Sequence, residues 1–310
     1  MSQPTVPRLD VVRKPYALPP PPDSAFVVLD VAFAGGKGIE QTHAFIERAG
    51  ERLKLWVDHH EHAQAWPRYL GDPRFVLVPS RTAPACPELV TPELVARAGA
   101  VERVLAHHDF DGLMSAVRFL AGGVEPYPGA DEDARAADSP GRGFRMSPRG
   151  ERLAAALSQA TSELDEPAFA VFYRAVAESL LAGREEGSLA ARVDQYARAG
   201  ESVRARAQNL AAAKRLEAPG VCVVRLDARL DGRMRLALLA LLQESAPVGL
   251  ILEGSQKRYW ATAATYHGAI ALEELADLNR GRHDLRFGPT KDADGLIAKL
   301  SALARAAELA

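Results

Sequence analysis

Three short apolar runs in the first third of the chain end at acidic or imidazole side chains, and this pattern restricts the fold more than any other feature. Phe26-Val27-Val28-Leu29-Asp30-Val31-Ala32 carries Asp30 near its end. The run from Leu53 to Val57 leads into Asp58-His59-His60, and the run from Val101 to Ala106 leads into His107-His108. A further run, Phe75-Val76-Leu77-Val78, lies between the last two. Apolar runs with little alternation suit strands buried on both faces. Helical stretches follow the first and the last of them, roughly Glu40 to Glu51 and Leu113 to Leu120. Strands alternating with helices predict an α/β fold with a parallel sheet. Ligands of such sheets gather at the carboxyl ends of the strands, where these side chains fall.

A chain of 310 residues is long enough for two domains with a core each. Residues 1–24 hold Pro4, Pro7, Pro15 and the run Pro19-Pro20-Pro21-Pro22, which predicts an extended polyproline tail outside the core. The parallel-sheet domain is expected over 25–146, with 122–150 loop-rich through Gly122-Gly123, Pro126, Pro128 and Ser139-Pro140-Gly141. Residues 147–218, rich in Ala, Glu, Arg and Leu, read as a helical connector divided by Pro167, Gly183 and Gly187. After Pro219-Gly220 a smaller α/β domain is expected over 219–310. Its strands fall at 221–224, 248–252 and 259–265, and its helices at 233–243, 271–279 and 294–309.

A net charge of −2 excludes a global positive field for gripping long nucleic acid, while leaving room for a local basic groove. Cys86 and Cys222 stand far apart, in neither a disulfide-rich nor a zinc-like spacing, so a reducing cytoplasm is the expected setting. No signal peptide is expected, since the first residues lack an apolar core segment. The most apolar stretch, Leu236 to Leu252, is interrupted by Gln243, Glu244, Ser245 and Pro247, so no membrane span is expected.

Of the eight histidines, five lie in two clusters, His59, His60 and His62, and His107 and His108, each beside aspartate. Imidazole with carboxylate suits manganese, iron or zinc. In an extended segment residues i and i+2 point the same way, so His107, Asp109 and Asp111 would project from one side. Gly112 lets the chain turn, and the helix that follows would start beside the site. Asp30, read alone, fits a helix cap equally well. Adjacent His59 and His60 cannot easily both reach one ion from an extended segment.

Asp58-His59-His60 resembles the signature of the DHH phosphoesterase superfamily, which includes RecJ-type exonucleases and nanoRNases. The stretch His107-His108-Asp109-Phe110-Asp111-Gly112-Leu113-Met114-Ser115-Ala116 resembles that family's H-x-D-x-D-G-x-x-S-A motif. Asp30 resembles its isolated strand-end aspartate, and the stretch from Arg81 to Cys86 its small-residue region after DHH. The motif order is permuted, because the H-x-D-x-D segment here follows DHH. The family's fourth acid has Asp138 as a candidate, with Asp72 the weaker alternative. Residues 280–288 keep Gly281, His283 and Gly288 of the family's C-terminal substrate loop but lose its flanking glycines and alanines, so the associated domain is degenerate.

The resemblance implies a two-metal phosphoesterase using Mn2+ or another divalent ion, with Mg2+ an alternative. Asp30, Asp58, His59, His107, Asp109 and Asp111 would be the metal ligands, with Asp111 bridging as part of the catalytic set. His60 would be catalytic and face the substrate phosphate. His108 would be structural, and His62 would line the pocket or lie exposed. From the second domain Arg282 and His283 would contact substrate across a cleft, and Tyr259 and Trp260 would stack on a base or simply fill apolar strand positions. The expected substrate is a short oligonucleotide or small nucleotide, since near-neutral charge disfavours long duplexes. A homodimer is the candidate assembly. Two other readings stay open: a hydrolase of pyrophosphate or a similar small phosphate, and a non-catalytic nucleotide-binding or regulatory protein that keeps the fold.

Overall fold

The computed structural model of the protein describes residues 6–14, 18–33, 39–60, 66–80, 82–139, 143–255, 258–267, 269–272, 275, 278, 280–282 and 285–308. The chain forms two units, Met1–Asp138 with Arg145–Ala199, and Ser139–Phe144 with Gly200–Ala310.

The first unit is built on a five-stranded sheet of β1 (Arg8–Val12), β2 (Phe26–Leu29), β3 (Leu53–Asp58), β4 (Phe75–Leu77) and β5 (Arg103–His107). The strands are all parallel, in the order β1-β5-β2-β3-β4. Every residue of β2 is buried, because helices cover both faces and leave no reason for polar alternation. Val27 and Leu29 face one core with Leu113 and Phe172, while Phe26 and Val28 face the other with Phe45 and Trp56. Each such side chain contributes about 1.5–3 kcal/mol by leaving water.

Helix α1 (Ile39–Ala49) supplies Phe45, Ile46 and Ala49 at the helical spacing that makes one apolar stripe. Two short helices follow, α2 (Trp66–Tyr69) and α3 (Pro92–Ala98). On the other face pack α4 (Phe110–Leu120), α5 (Ala130–Asp138), α6 (Pro148–Glu163) and α7 (Glu166–Leu181). Ser147 and Asp165 cap α6 and α7, accepting from the backbone N–H of Gly150 and Ala168 at 3.1 and 2.9 Å.

The permuted motif order does not separate the two clusters. β2 and β5 are hydrogen-bonded neighbours, with Leu29 opposite Ala106, and β3 flanks β2 on its other side. Asp30, Asp58 and His107 therefore leave the same end of three adjacent strands.

The structure departs from the sequence expectations at three places. The tail expected over 1–24 contains a strand: β1 pairs with β5 over five residues and buries Leu9 and Val12, which alternate onto opposite faces of the sheet. Proline enrichment masked this, since the apolar positions Leu9, Val11 and Val12 lie between the prolines. The region expected to be loop over 122–150 contains α5, whose apolar positions Ala130 and Ala134 are small and give little periodic signal. The connector expected over 147–218 is divided, with residues 145–199 in the first unit and the rest in the second. Leu153, Phe169, Phe172 and Tyr173 of its first two helices belong to the same core as the parallel sheet.

The second unit carries a sheet of β6 (Arg215–Ala218), β7 (Val221–Leu226), β8 (Val248–Ser255), β9 (Arg258–Thr265), β10 (Arg280–Arg282) and β11 (Leu285–Thr290), in the order β10-β11-β9-β8-β7-β6. Among the described residues of this unit only the β7–β8 pair is parallel. The long helix α8 (Gly187–Ala211) runs into this unit, where α9 (Gly232–Gln243) covers one face and α10 (Ala293–Glu308) the other. The helix expected over 271–279 lies largely outside the described residues. No helix among the described residues is long and apolar enough to cross a membrane.

Candidate metal centre

Asp30 stands one residue past β2 with φ at 57°, the one non-glycine residue in the left-handed region among those described. This conformation costs on the order of 1–3 kcal/mol, a strain typical of functional positions. The Asp30 N–H donates to the Val57 carbonyl at 2.8 Å, which fixes the turn against β3. The carboxylate is 1% exposed.

His59 Nε2 lies 3.5 Å from Asp30 Oδ1, 3.5 Å from Asp111 Oδ2 and 3.3 Å from Asp138 Oδ2. Its other ring nitrogen, Nδ1, is 3.0 Å from the Ala83 carbonyl, so that nitrogen carries the proton and Nε2 faces the carboxylates. His107 Nδ1 is 3.6 Å from Asp30 Oδ2 and 2.7 Å from Asp109 Oδ2. Asp109 also caps α4, its Oδ1 accepting from Gly112 N–H at 3.1 Å. Asp111 is held by the Cys86 N–H, which donates to Oδ2 at 2.9 Å.

Among the described residues, three sets of side chains bring one ligand atom each within 4.8 Å of one another: Asp30 with His59 and His60, Asp30 with His107 and Asp109, and His59 with Asp111 and Asp138. Asp30 and His59 each belong to two of them. Asp58 lies outside these sets and accepts from His60 Nδ1 at 2.8 Å instead. Asp138 enters from the end of α5, a helix absent from the sequence reading. The Ala83 carbonyl, the Cys86 N–H and Tyr173, whose hydroxyl donates to the His107 carbonyl at 2.7 Å, are backbone or distant contacts with no sequence signal. His62 and His283 lie outside the described residues. Arg282 ends β10, opposite Leu285, and its side chain also lies outside the described set. Asp72 is engaged elsewhere, paired with Arg74 at 2.6 Å.

These residues fit a divalent cation. Both oxygens of Asp30, Oδ1 of Asp111 and Nε2 of His59 are buried with no hydrogen-bond donor or acceptor among the described residues. Buried polar atoms are otherwise paired, so four converging orphans mark a missing partner. Mixed imidazole and carboxylate donors suit Mn2+, Fe2+ or Zn2+ better than calcium.

The electrostatics carry the same signature. Burial, followed by the charges of Asp111 and Asp109, pushes the Asp30 carboxyl well above the usual carboxylate range. Burial likewise leads in raising Asp138 to about 6, with His59 pulling against it. Burial pulls His59 down, but Asp138, Asp111 and Asp58 outweigh it and lift the imidazole to about 9. At Asp109 burial is again opposed, and His107 holds that carboxylate well below its ordinary value. His108, neutral through burial, falls to about 4. Its ring stands edge-on to His107 with centroids 4.5 Å apart, a packing role.

A raised His59 contributes stability that is complete below its unfolded value of 6.5 and lost as pH climbs through about 9. The raised Asp30 carboxyl changes stability in the same direction. The metal-free protein is therefore expected to melt at lower temperature as pH rises from 6.5 to 9. Saturating Mn2+ should flatten or invert that slope, because metal and protons compete for the same ligands. Scanning calorimetry in EDTA and in Mn2+ checks both trends, and a metal-free melting temperature that rises with pH would refute the assignment.

No protein-family model and no curated protein sequence matches the chain. Among solved structures it is similar to an exopolyphosphatase-related protein from Bacteroides fragilis, at 12% identity and TM-score 0.39, covering 93% of this chain and 73% of that one. It is similar to exonuclease RecJ bound to manganese, at 15% identity and TM-score 0.41, covering 92% and 75%. An uncharacterized protein from Helicobacter pylori G27 aligns at 9% identity and TM-score 0.21, over 92% and 85%.

Proposed function

We propose that this protein is a divalent-metal-dependent phosphoesterase of the DHH type, acting on phosphodiester bonds of short oligonucleotides or small nucleotides. The observation that supports it best is the convergence of Asp30, His59, His107, Asp111 and Asp138 at the carboxyl ends of adjacent parallel strands, with both oxygens of Asp30, Oδ1 of Asp111 and Nε2 of His59 buried and unpaired among the described residues. Asp30, His59, His107, Asp109, Asp111 and Asp138 would hold the ions, with Mn2+ the preferred one. Divalent ions bound there supply Lewis acidity, lower the pKa of water and offset phosphate charge.

The chain's own residues supply orientation and proton handling. Asp58 keeps the His60 ring turned through Nδ1, so Nε2 is the nitrogen that takes up or gives a proton. At 19% side-chain exposure His60 is more open than His59, at 1%, and is the imidazole a substrate phosphate meets. The Ala83 carbonyl and the Cys86 N–H fix His59 and Asp111, as outer-shell partners of metal ligands do.

Hydrolysis of bis-p-nitrophenyl phosphate and of two- to five-nucleotide oligomers is expected with Mn2+ and is lost in EDTA. Asp109→Ala should abolish turnover and weaken metal binding, at a stability cost of about 1 kcal/mol from the lost α4 cap. Turnover retained in Asp109→Ala would refute the site. Mn2+ bound without hydrolysis of any phosphoester would favour a binding protein that keeps the fold.

A further inference from the structure

The His107 peptide is gripped from two sides by residues that ligate nothing. From α7, the hydroxyl of Tyr173, itself 0% exposed, donates to the His107 carbonyl at 2.7 Å across 66 residues of sequence. From α4, Gly112 packs against the same carbonyl so closely that a Cβ there would stand 2.5 Å from the oxygen. This carbonyl lies where β5 ends and the chain turns toward Asp109. A shift of the chain at this turn would carry the imidazole away from Asp30, 3.6 Å distant, and break its 2.7 Å contact with Asp109. One helical turn before Tyr173, Phe169 meets its ring at 5.8 Å and the His108 ring edge-on at 6.3 Å, with the Arg13 guanidinium over Phe169 at 5.4 Å. Residues four apart on a helix share one face, so α7 presents Phe169 and Tyr173 together to the 107–109 turn.

We propose that Tyr173 is a positioning residue of the metal centre: its phenol locks the His107 peptide, and through it the direction of the His107 imidazole and the Asp109 carboxylate. The inference rests on the metal-centre reading and adds a helix that contributes no ligand to its control. Losing an outer-shell partner weakens metal binding about 10–100-fold.

The test is Tyr173→Phe in the full chain, read by Mn2+ titration calorimetry and by the visible absorption of the Co2+-loaded protein. The expected result is Mn2+ affinity about 10–100-fold weaker and an altered Co2+ spectrum, with near-ultraviolet circular dichroism of the metal-free protein retained. Tyr196→Phe, on α8 and packed edge-on against Phe172 at 5.2 Å, removes a hydroxyl away from the turn and should change neither reading. A folded Tyr173→Phe with wild-type affinity and spectrum overturns the proposal, as does an equal effect in Tyr196→Phe. Should Tyr173→Phe not fold, 3-fluorotyrosine at position 173 keeps the ring and makes the hydroxyl a stronger donor. An unshifted Co2+ spectrum in that protein also overturns it. Wild-type protein that binds neither ion removes the metal-centre reading and this proposal together, whereas binding that is indifferent to position 173 removes only this one.

Discussion

Asp30→Asn is expected to eliminate metal-dependent hydrolysis and, at the same time, to make the metal-free protein more stable. Asp30 is shared by two of the three ligand sets, so no other single side chain except His59 has as much to lose. Affinity for Mn2+ should fall by more than the roughly 10–100-fold that an outer-shell partner costs. Stability moves the other way because the folded, metal-free protein buries the Asp30 carboxylate near Asp111 and Asp109, and burial together with those charges disfavours its ionised form. Asparagine has the same shape, tolerates the left-handed conformation at φ 57°, and cannot ionise. Near neutral pH the gain should be about 1–2 kcal/mol, the size usual when a site residue is traded for stability. Urea unfolding in EDTA reads the gain, and the same titration with Mn2+ reads the loss of metal-linked stabilisation. A lower urea midpoint in EDTA than wild type, or retained turnover, would sink the assignment of Asp30.

The part of the site on strands was legible in the sequence. Asp30, His59 and His107 follow apolar runs, and a parallel sheet brings such run-ends to one edge regardless of motif order. The reversed order of the two clusters mattered little, because strand adjacency in space is set by pairing and β5 inserts beside β2. Three things were not legible. The helix that carries Asp138, a residue the resemblance offered as a candidate, has a buried face of alanine, so hydrophobic periodicity is weak there even though Ala130 and Ala134 are fully buried. The supports of His59 and Asp111 are a carbonyl and an N–H, which every residue has and no sequence marks. Asp58 ends β3 as clearly as Asp30 follows β2, yet its carboxylate meets His60 instead of joining a ligand set. Which way a side chain turns after a strand depends on the local backbone, here the left-handed turn at Asp30, and not on residue type.

The second large effect concerns the segment whose composition most resembled a tail. Removing residues 1–13 is expected to cost about 3–6 kcal/mol, from the buried side chains of Leu9 and Val12 and the ladder to β5. The deletion strips β5 of its neighbour, leaving an unpaired row of backbone groups beside apolar side chains, so a tendency to associate should accompany the loss. It also reaches the metal centre. Val12 is opposite His107 in the ladder, and Arg13 ties the end of β1 to α6 by donating to the Thr161 carbonyl at 2.6 Å while covering Phe169. Without them the turn from His107 to Asp109 keeps its grip from Tyr173 and Gly112 but loses the strand that squares it against Asp30. Mn2+ affinity should therefore fall along with the urea midpoint, and added Mn2+ should recover only part of the lost stability, because ion binding cannot rebury Leu9 or restore the ladder. Urea unfolding of the truncated and full chains, each in EDTA and in Mn2+, gives all four numbers. If truncation leaves the midpoint and the Mn2+ shift unchanged, β1 adds nothing to either core or site. A lowered midpoint with an unchanged Mn2+ shift would confine its contribution to packing.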